Sequence, residues 1–352
     1  MSSSPPVSPR PPRSPWQLVY GAVLAARRRR LAARATRAPG PVVSVGNLHW
    51  GGGGKTPFVL ALARHFSEAG LRVAILSRGY RRTSRGARVV SRGSGPELEV
   101  AAAGDEPYEM AVELPGVAVV VGESRAEAAR LAAASLAPAP DLYLLDDGFS
   151  HAALARDLDL LVFPADDPFA GGRLLPTGRL REPLAAACHA DAVVLTGADP
   201  READAGRRLA AALAPHGFAG PGFASVTEVA PPRLLAGDVA LAPGTPVAAV
   251  AAIARPRPFF AAARASGATV VAELDFADHH GFSEPDLRAI ERRARAAGAA
   301  VVLTTGKDRA KLEGRLEMPL ALLAVVARPE PSFWVWLDER LGRSARREEP
   351  RP

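Results

Sequence analysis

One segment constrains this chain more than any other: Pro41-Val-Val-Ser-Val-Gly-Asn-Leu-His-Trp-Gly-Gly-Gly-Gly-Lys-Thr-Pro57. A short β-branched run leads into a glycine cluster, then Gly54-Lys55-Thr56, then an apolar helical stretch. Glycine lets successive backbone N–H groups converge on an anion, and the helix that follows adds the positive end of its dipole. Lys55 would reach the β/γ-phosphates of a nucleotide, and the Thr56 hydroxyl would bind Mg²⁺. Pro57 suits a first helical turn, where its missing N–H costs nothing. The expected phosphate contacts are Gly51, Gly52, Gly53, Gly54, Lys55 and Thr56. The bland alternative is a glycine-rich turn carrying a chance Gly-Lys-Thr.

The spacing departs from the usual pattern. His49 stands where a glycine is normally found, five residues before Gly54. The double-glycine start is closer to a deviant form of the loop, but Trp50 takes the place of that group's lysine. Lysine usage adds weight: the chain has three lysines (Lys55, Lys307, Lys311) against forty-one arginines, and one sits in this loop.

Around the loop, apolar runs bounded by Gly, Pro or Asp alternate with Ala/Leu/Arg-rich helical stretches. Strands are expected at 42–45, 73–76, 117–121, 142–145, 158–163, 192–195, 247–253, 268–274 and 300–303. Helices are expected at 57–69, 124–136, 201–214, 257–266 and 284–297. This alternation predicts an α/β fold with a mainly parallel, P-loop NTPase-like sheet covered on both faces. The Pro-rich stretch 218–246 suggests a junction to a second, smaller α/β domain. The expected organisation is a disordered leader (1–15), a basic amphipathic helix at a membrane interface (16–37), a kinase domain (38–230), a smaller C-terminal domain (231–330) and a tail (331–352).

Charge sharpens that division. The net charge of the 352-residue chain is +7, yet residues 1–40 hold eight arginines and no acid. The rest is close to neutral, which argues against a general nucleic-acid binder. No run reaches the ~20 apolar residues of a membrane span. Trp16, Leu18, Val19, Tyr20, Val23 and Leu24 ahead of Arg27–Arg30 read as an interfacial anchor. A helix packed on the body with a solvated basic end is the alternative. The single cysteine, Cys188, excludes an internal disulfide and a Cys-rich zinc site.

Two further segments carry chemistry. Leu142-Tyr-Leu-Leu-Asp-Asp-Gly148 is an apolar strand ending in two carboxylates, at the edge where open α/β sheets bind ligands. Asp146 or Asp147 could hold Mg²⁺ directly or through water. Phosphoryl transfer to an alcohol needs a proton acceptor, and Asp105 in Gly104-Asp-Glu-Pro107 is a candidate. In Phe276-Ala-Asp-His-His280 the adjacent histidines should point opposite ways if extended, so only one could share a proton with Asp105. A polar surface turn is the plain alternative.

Taken in order, these segments resemble the tetraacyldisaccharide 4′-kinase family, the inner-membrane lipid A kinases of Gram-negative bacteria. The carrying motifs are Tyr20-Gly-Ala-Val-Leu24, Val45-Gly-Asn-Leu48 with Gly51–Pro57, Ser77-Arg-Gly-Tyr80, and Gly104-Asp-Glu-Pro107. They continue with Leu145-Asp-Asp-Gly-Phe149 and His151, Arg156-Asp157, Arg173-Leu-Leu-Pro176, Leu180-Arg-Glu-Pro183, Asp278-His279, and Thr305 with Lys307-Asp308. The resemblance covers roughly residues 16–328. It implies transfer of the ATP γ-phosphate to the 4′-hydroxyl of a tetraacylated glucosamine disaccharide 1-phosphate, giving lipid IVA, at the cytoplasmic face of the inner membrane. It implies ATP and Mg²⁺ as cofactors, an anionic membrane surface as partner, and no obligate protein partner.

Carried over, Asp105 looks like the catalytic base, supported by His279. Lys55 and Thr56 look like phosphate and magnesium groups, and Asp146 and Asp147 like the magnesium acids. Glu182 looks like a further active-site acid, and Arg78 and Tyr80 like substrate-side residues. Ser150, Gly172, Thr177, Arg179 and Gly306 depart from the family pattern without removing any of these. The rival expectation is a membrane-associated nucleotide-switch ATPase or GTPase.

Overall fold

A computed structural model describes residues 15–51 and 53–342. Gly52 and the expected leader before Pro15, with Arg10 and Arg13, lie outside the described residues, as does the end of the expected tail.

The described residues begin with α1 (Pro15–Ala32), β1 (Val42–Gly46), α2 (Lys55–Glu68), β2 (Val73–Ser77) and β3 (Arg88–Ser91). Next come α3 (Val100–Ala103), α4 (Asp105–Glu113), β4 (Ala118–Val121), α5 (Arg125–Ser135), β5 (Leu142–Asp146) and β6 (Leu158–Pro164). Then follow β7 (Ala192–Thr196), α6 (Ala205–Leu213), β8 (Gly222–Val229), β9 (Arg233–Leu234) and β10 (Val239–Ala240). After these lie β11 (Pro246–Ala251), α7 (Pro256–Ala265), β12 (Thr269–Asp275), α8 (Glu284–Ala296) and β13 (Val301–Thr304). The described residues finish with α9 (Gly306–Leu312), β14 (Leu320–Leu322), β15 (Val325–Pro329) and α10 (Pro331–Arg340).

Nine strands form the first sheet, in the order β15-β8-β7-β6-β1-β5-β2-β4-β3. All its pairings are parallel except those of the two edge strands, β3 and β15. Strands β1, β2, β4, β5 and β6 are buried at every position, as expected for a sheet covered on both faces. β1 sits between β5 and β6, so the chain runs to opposite sides of it. That is a topological switch point, where the carboxyl ends of the strands open a crevice. The glycine loop follows β1, and Asp146 ends β5 with Asp147 next in the chain.

The second sheet runs β10-β9-β14-β13-β11-β12, with β14, β13, β11 and β12 parallel. Its two faces carry separate apolar layers, one on Phe282, Leu287 and Ile290, the other on Phe259 and Phe260.

The C-terminal expectation needs correction. Residues 331–340 are not a tail. β15 leaves the second sheet's layer and pairs antiparallel with β8, and α10 then packs on α2. Phe333 is fully buried, 5.4 Å from the Phe58 ring and 5.4 Å from Phe223. His65 stacks on Trp334 at 4.3 Å and lies 3.1 Å from Asp338. The Pro-rich signal of the last residues hid the aromatic pattern of Phe333, Trp334 and Trp336. The stretch 218–246, read as a junction, supplies β8 to the first sheet before crossing to the second.

Among the described residues no helix is long and apolar enough to cross a membrane. α1 exposes Trp16, Leu18, Val19 and Val23. It is held to the body through Arg28, which donates to Phe149 O at 2.9 Å and lies over the Phe149 ring at 4.1 Å.

Candidate active site

The glycine loop joins β1 to α2. Gly54 adopts φ +73°, and a Cβ there would meet Thr196 Oγ1 at 2.8 Å. Thr196, at the end of β7, donates to Gly53 O at 3.0 Å and so fixes the loop from beneath. Outside the loop, Trp50 N donates to Arg179 O and Arg181 N to Leu48 O, both at 2.7 Å. The family-departing Arg179 therefore serves here through its backbone. His49, in place of a loop glycine, is buried and its Nε2 lies 3.2 Å from Asp167 O. Burial pulls its pKa down to about 4, so it is a neutral structural group at pH 7. Trp50 is exposed.

Lys55 opens α2 with Thr56 beside it. Its Nζ donates to Asn47 Oδ1 at 3.1 Å and lies 3.4 Å from Asp147 Oδ1. Arg181 grips Asp147 through two bonds of 2.8 and 2.7 Å and also reaches Asn47 Oδ1 at 2.7 Å. Burial would raise the Asp147 carboxyl, but Lys55 and Arg181 outweigh it and hold Asp147 well below the ordinary carboxylate value. Asp146 is its opposite. Burial, with repulsion from Glu106 and Asp147, pushes it up to about 7. Ser77 donates to Asp146 Oδ2 at 2.8 Å, while Oδ1 is buried without a hydrogen-bond partner. Asn47, Ser77 and Arg181 lay inside motifs, but only this geometry gives them roles.

The unpaired Asp146 oxygen and its neighbouring carboxylate fit a divalent cation, and Thr56 supplies the hydroxyl such a loop needs. Among the described residues no cluster of three or more His, Cys, Asp or Glu is arranged to hold a metal by itself. That suits Mg²⁺, which takes one or two carboxylates and draws its other ligands from water and phosphate.

Asp105 is the first residue of α4, where the helix dipole favours a carboxylate. It follows Gly104, whose φ is +91° and whose added Cβ would meet the Gly79 backbone at 3.1 Å. Gly104 and Gly79 thus let the Ser-Arg-Gly-Tyr and Gly-Asp-Glu-Pro motifs touch. From the second sheet, His279 Nδ1 reaches Asp105 Oδ2 at 3.0 Å. His279 holds φ +62°, a conformation that costs a non-glycine residue about 1–2 kcal/mol. Its neighbour His280 instead bonds Asp286 at 3.0 Å, so the two histidines do part company.

Tyr80 lies 5.4 Å from the His279 ring and is half-exposed, with Arg81 5.6 Å from the Tyr80 ring. Arg78 is exposed one residue beyond β2. Glu182 turns elsewhere: it accepts a bond from Ser150 and lies 3.8 Å from Arg28. It sits beside Arg181 but meets α1 rather than the Asp105–His279 pair.

The profile of the tetraacyldisaccharide-1-P 4′-kinase family matches residues 13–342. Similar proteins include the tetraacyldisaccharide 4′-kinases of Anaeromyxobacter sp. (strain K), 47% identical over 80% of this chain and 75% of that one, and of Geobacter sulfurreducens, 41% identical over 83% and 80%. The crystal structure of LpxK from Aquifex aeolicus in complex with ATP superposes with a TM-score of 0.72 at 30% identity. It covers 94% of this chain and 97% of that one. With the loop, the carboxylate pair and the Asp105–His279 contact in family order, this chain belongs to the tetraacyldisaccharide 4′-kinase family.

Proposed function

We propose that the chain transfers the γ-phosphoryl group of ATP to the 4′-hydroxyl of a tetraacylated glucosamine disaccharide 1-phosphate, giving lipid IVA. The observation that carries the reading is the 3.0 Å contact between Asp105 and His279, which brings a base pair from two sheets together. A nucleotide switch has no use for such a pair, and the family match leaves that rival without support.

The Gly51–Thr56 loop would cradle the β- and γ-phosphates, with Lys55 turning from Asp147 to the incoming charge. Thr56, Asp146 and Asp147 would hold Mg²⁺, which when bound neutralises charge on the phosphate oxygens. Arg181 and Asn47 keep Asp147 in place. Asp105 accepts the proton of the 4′-hydroxyl, and His279 steadies the carboxylate before and after transfer. A positioned base contributes roughly 10²–10⁴-fold. Tyr80, against the His279 ring, and the exposed Arg78 two residues before it would face the disaccharide. Glu182 would support the turn after β5 from the α1 side, through Ser150 and Arg28.

The lipid substrate explains α1. Its exposed Trp16, Leu18, Val19 and Val23 would enter the interface of the cytoplasmic leaflet in a Gram-negative inner membrane. Arg27, Arg29 and Arg30 would meet anionic headgroups, each contributing about 1 kcal/mol. The test is ATP-dependent phosphorylation of the disaccharide 1-phosphate in mixed micelles. Turnover by Asp105→Ala at the wild-type rate would remove the base assignment.

A further inference from the structure

The chain uses lysine three times and arginine forty-one times. All three lysines lie on groups of the active site. Lys55 is on Asn47 and Asp147. Lys307 Nζ is 2.8 Å from Asp278 Oδ1 and 3.2 Å from His279 Nε2. Lys311 Nζ is 2.5 Å from Asp105 Oδ2 and 3.6 Å from Asp308 Oδ1, and its side chain is only 9% exposed. A sequence that writes arginine nearly everywhere else keeps a compact ammonium at these places. The planar guanidinium fork is not its equivalent where one charge must fit between two carboxylates.

We propose that Lys307 and Lys311, one helical turn apart on α9, are positioning residues for the Asp105–His279 pair. Lys311 keeps Asp105 ionised, and Lys307 holds His279 in the tautomer that carries its proton on Nδ1.

The tautomer follows from donors and acceptors. An ammonium only donates, so His279 Nε2 must accept from Lys307, leaving the proton on Nδ1. That proton points at Asp105, so His279 donates to the carboxylate. α9 is itself anchored for the task. Asp308 accepts from Ala252 N at 2.8 Å, and Ala252 O accepts from His279 N at 3.1 Å. The helix bearing both lysines and the loop bearing His279 therefore hang from one backbone residue.

The charges facing the pair come from every neighbouring element. Glu106 follows Asp105 on α4, and one turn on lies Glu109, whose carboxyl burial pushes up to about 8, with Glu106, Glu113 and Asp308 adding to the rise and Lys307 opposing it. Asp278 flanks His279, with Arg81 donating to Asp278 O at 3.2 Å. Lys307, Asp308 and Lys311 come from α9, and Tyr80 brings only its ring. Burial would raise the Asp105 carboxyl, but His279 and Lys311 outweigh it and hold it below its ordinary value. An opposite charge at this range typically lowers a carboxylate by about 1–3 units.

The inference rests on Asp105 being the base, so three variants are assayed together by kcat/KM from about pH 3.5 to 8, a range that reaches the carboxylate limb. Lys311→Met moves the acid limb upward by roughly 1 unit or more, and Lys311→Arg restores its position while lowering kcat. Asp105→Asn abolishes turnover. A salt bridge that merely joined the two sheets would change the melting temperature and leave the limb in place. A Lys311→Met profile superimposable on wild type, with Asp105→Asn inactive, overturns the lysine role alone. An active Asp105→Asn overturns the base instead. The tautomer is read by ¹⁵N NMR of His279 in the intact wild-type protein, and this arm stands even where a variant fails to fold. Nδ1 should be protonated and Nε2 bare, and Lys307→Met should mix the two forms. A wild-type proton on Nε2 contradicts the proposal.

Discussion

Gly54→Ala is the sharpest probe of the glycine loop. At φ +73° an alanine costs about 1–2 kcal/mol in backbone strain alone. Its Cβ would also stand 2.8 Å from Thr196 Oγ1 and 3.0 Å from Thr196 Cβ. Thr196 cannot yield freely, because it is buried, β-branched, and bonded to both Gly53 O and Phe163 O. The loop must move instead, and it is the loop that would hold the phosphates. Gly70 is the internal control: it has φ +81° and nothing within 4 Å of an added Cβ. Gly70→Ala should lose roughly 1 kcal/mol of stability by denaturant titration and bind ATP normally. Gly54→Ala should lose a similar stability and weaken ATP binding by calorimetry at least ~30-fold, about 2 kcal/mol. Normal ATP affinity in Gly54→Ala would refute the cradle built from Gly53, Gly54 and Thr196.

Further outcomes follow from other parts of the molecule. Phe333→Ala empties a fully buried site among Phe58, Phe223 and Trp336 and should cost about 3–5 kcal/mol by chemical denaturation, whereas a true tail would lose nothing. His49 is buried and His151 partly buried, and desolvation pulls both down to about 4, below an unfolded value of about 6.5. The unfolded chain therefore binds more protons in that window, so stability should fall as pH drops from about 6.5 to 4. Their replacement by Gln should flatten that fall in denaturation measured at pH 7 and pH 5. Replacing Trp16, Leu18, Val19 and Val23 with Ser should reduce sedimentation with anionic vesicles while leaving ATP affinity intact. Unchanged vesicle binding would remove α1 from the membrane interface.

Much of the fold could be read ahead of the structure, for identifiable reasons. Strands such as Leu142–Asp146 are unbroken apolar runs ended by Asp, and α2 and α8 carry clear starts at Lys55-Thr-Pro and Ser283-Glu-Pro. What stayed hidden depended on distant partners. β8 reads as a weak Pro-flanked stretch because its strand character comes from pairing with β7 and β15. α10 was masked by the prolines beyond it and declares itself only through Phe58 on α2. At the site, Asp105 and His279 were legible as motif residues, but Lys311, which meets Asp105, and Arg81, which donates to the neighbouring Asp278, were not. No spacing rule joins residues 206 positions apart, as Asp105 and Lys311 are, because only the packing of α4 on α9 brings them together.

The most direct measurement is product analysis after incubating the purified protein with radiolabelled γ-phosphate ATP, Mg²⁺ and the tetraacylated disaccharide 1-phosphate. The label should appear on the 4′-position of the lipid, in wild type and not in Asp105→Ala. ATP hydrolysis without labelled lipid would contradict the account.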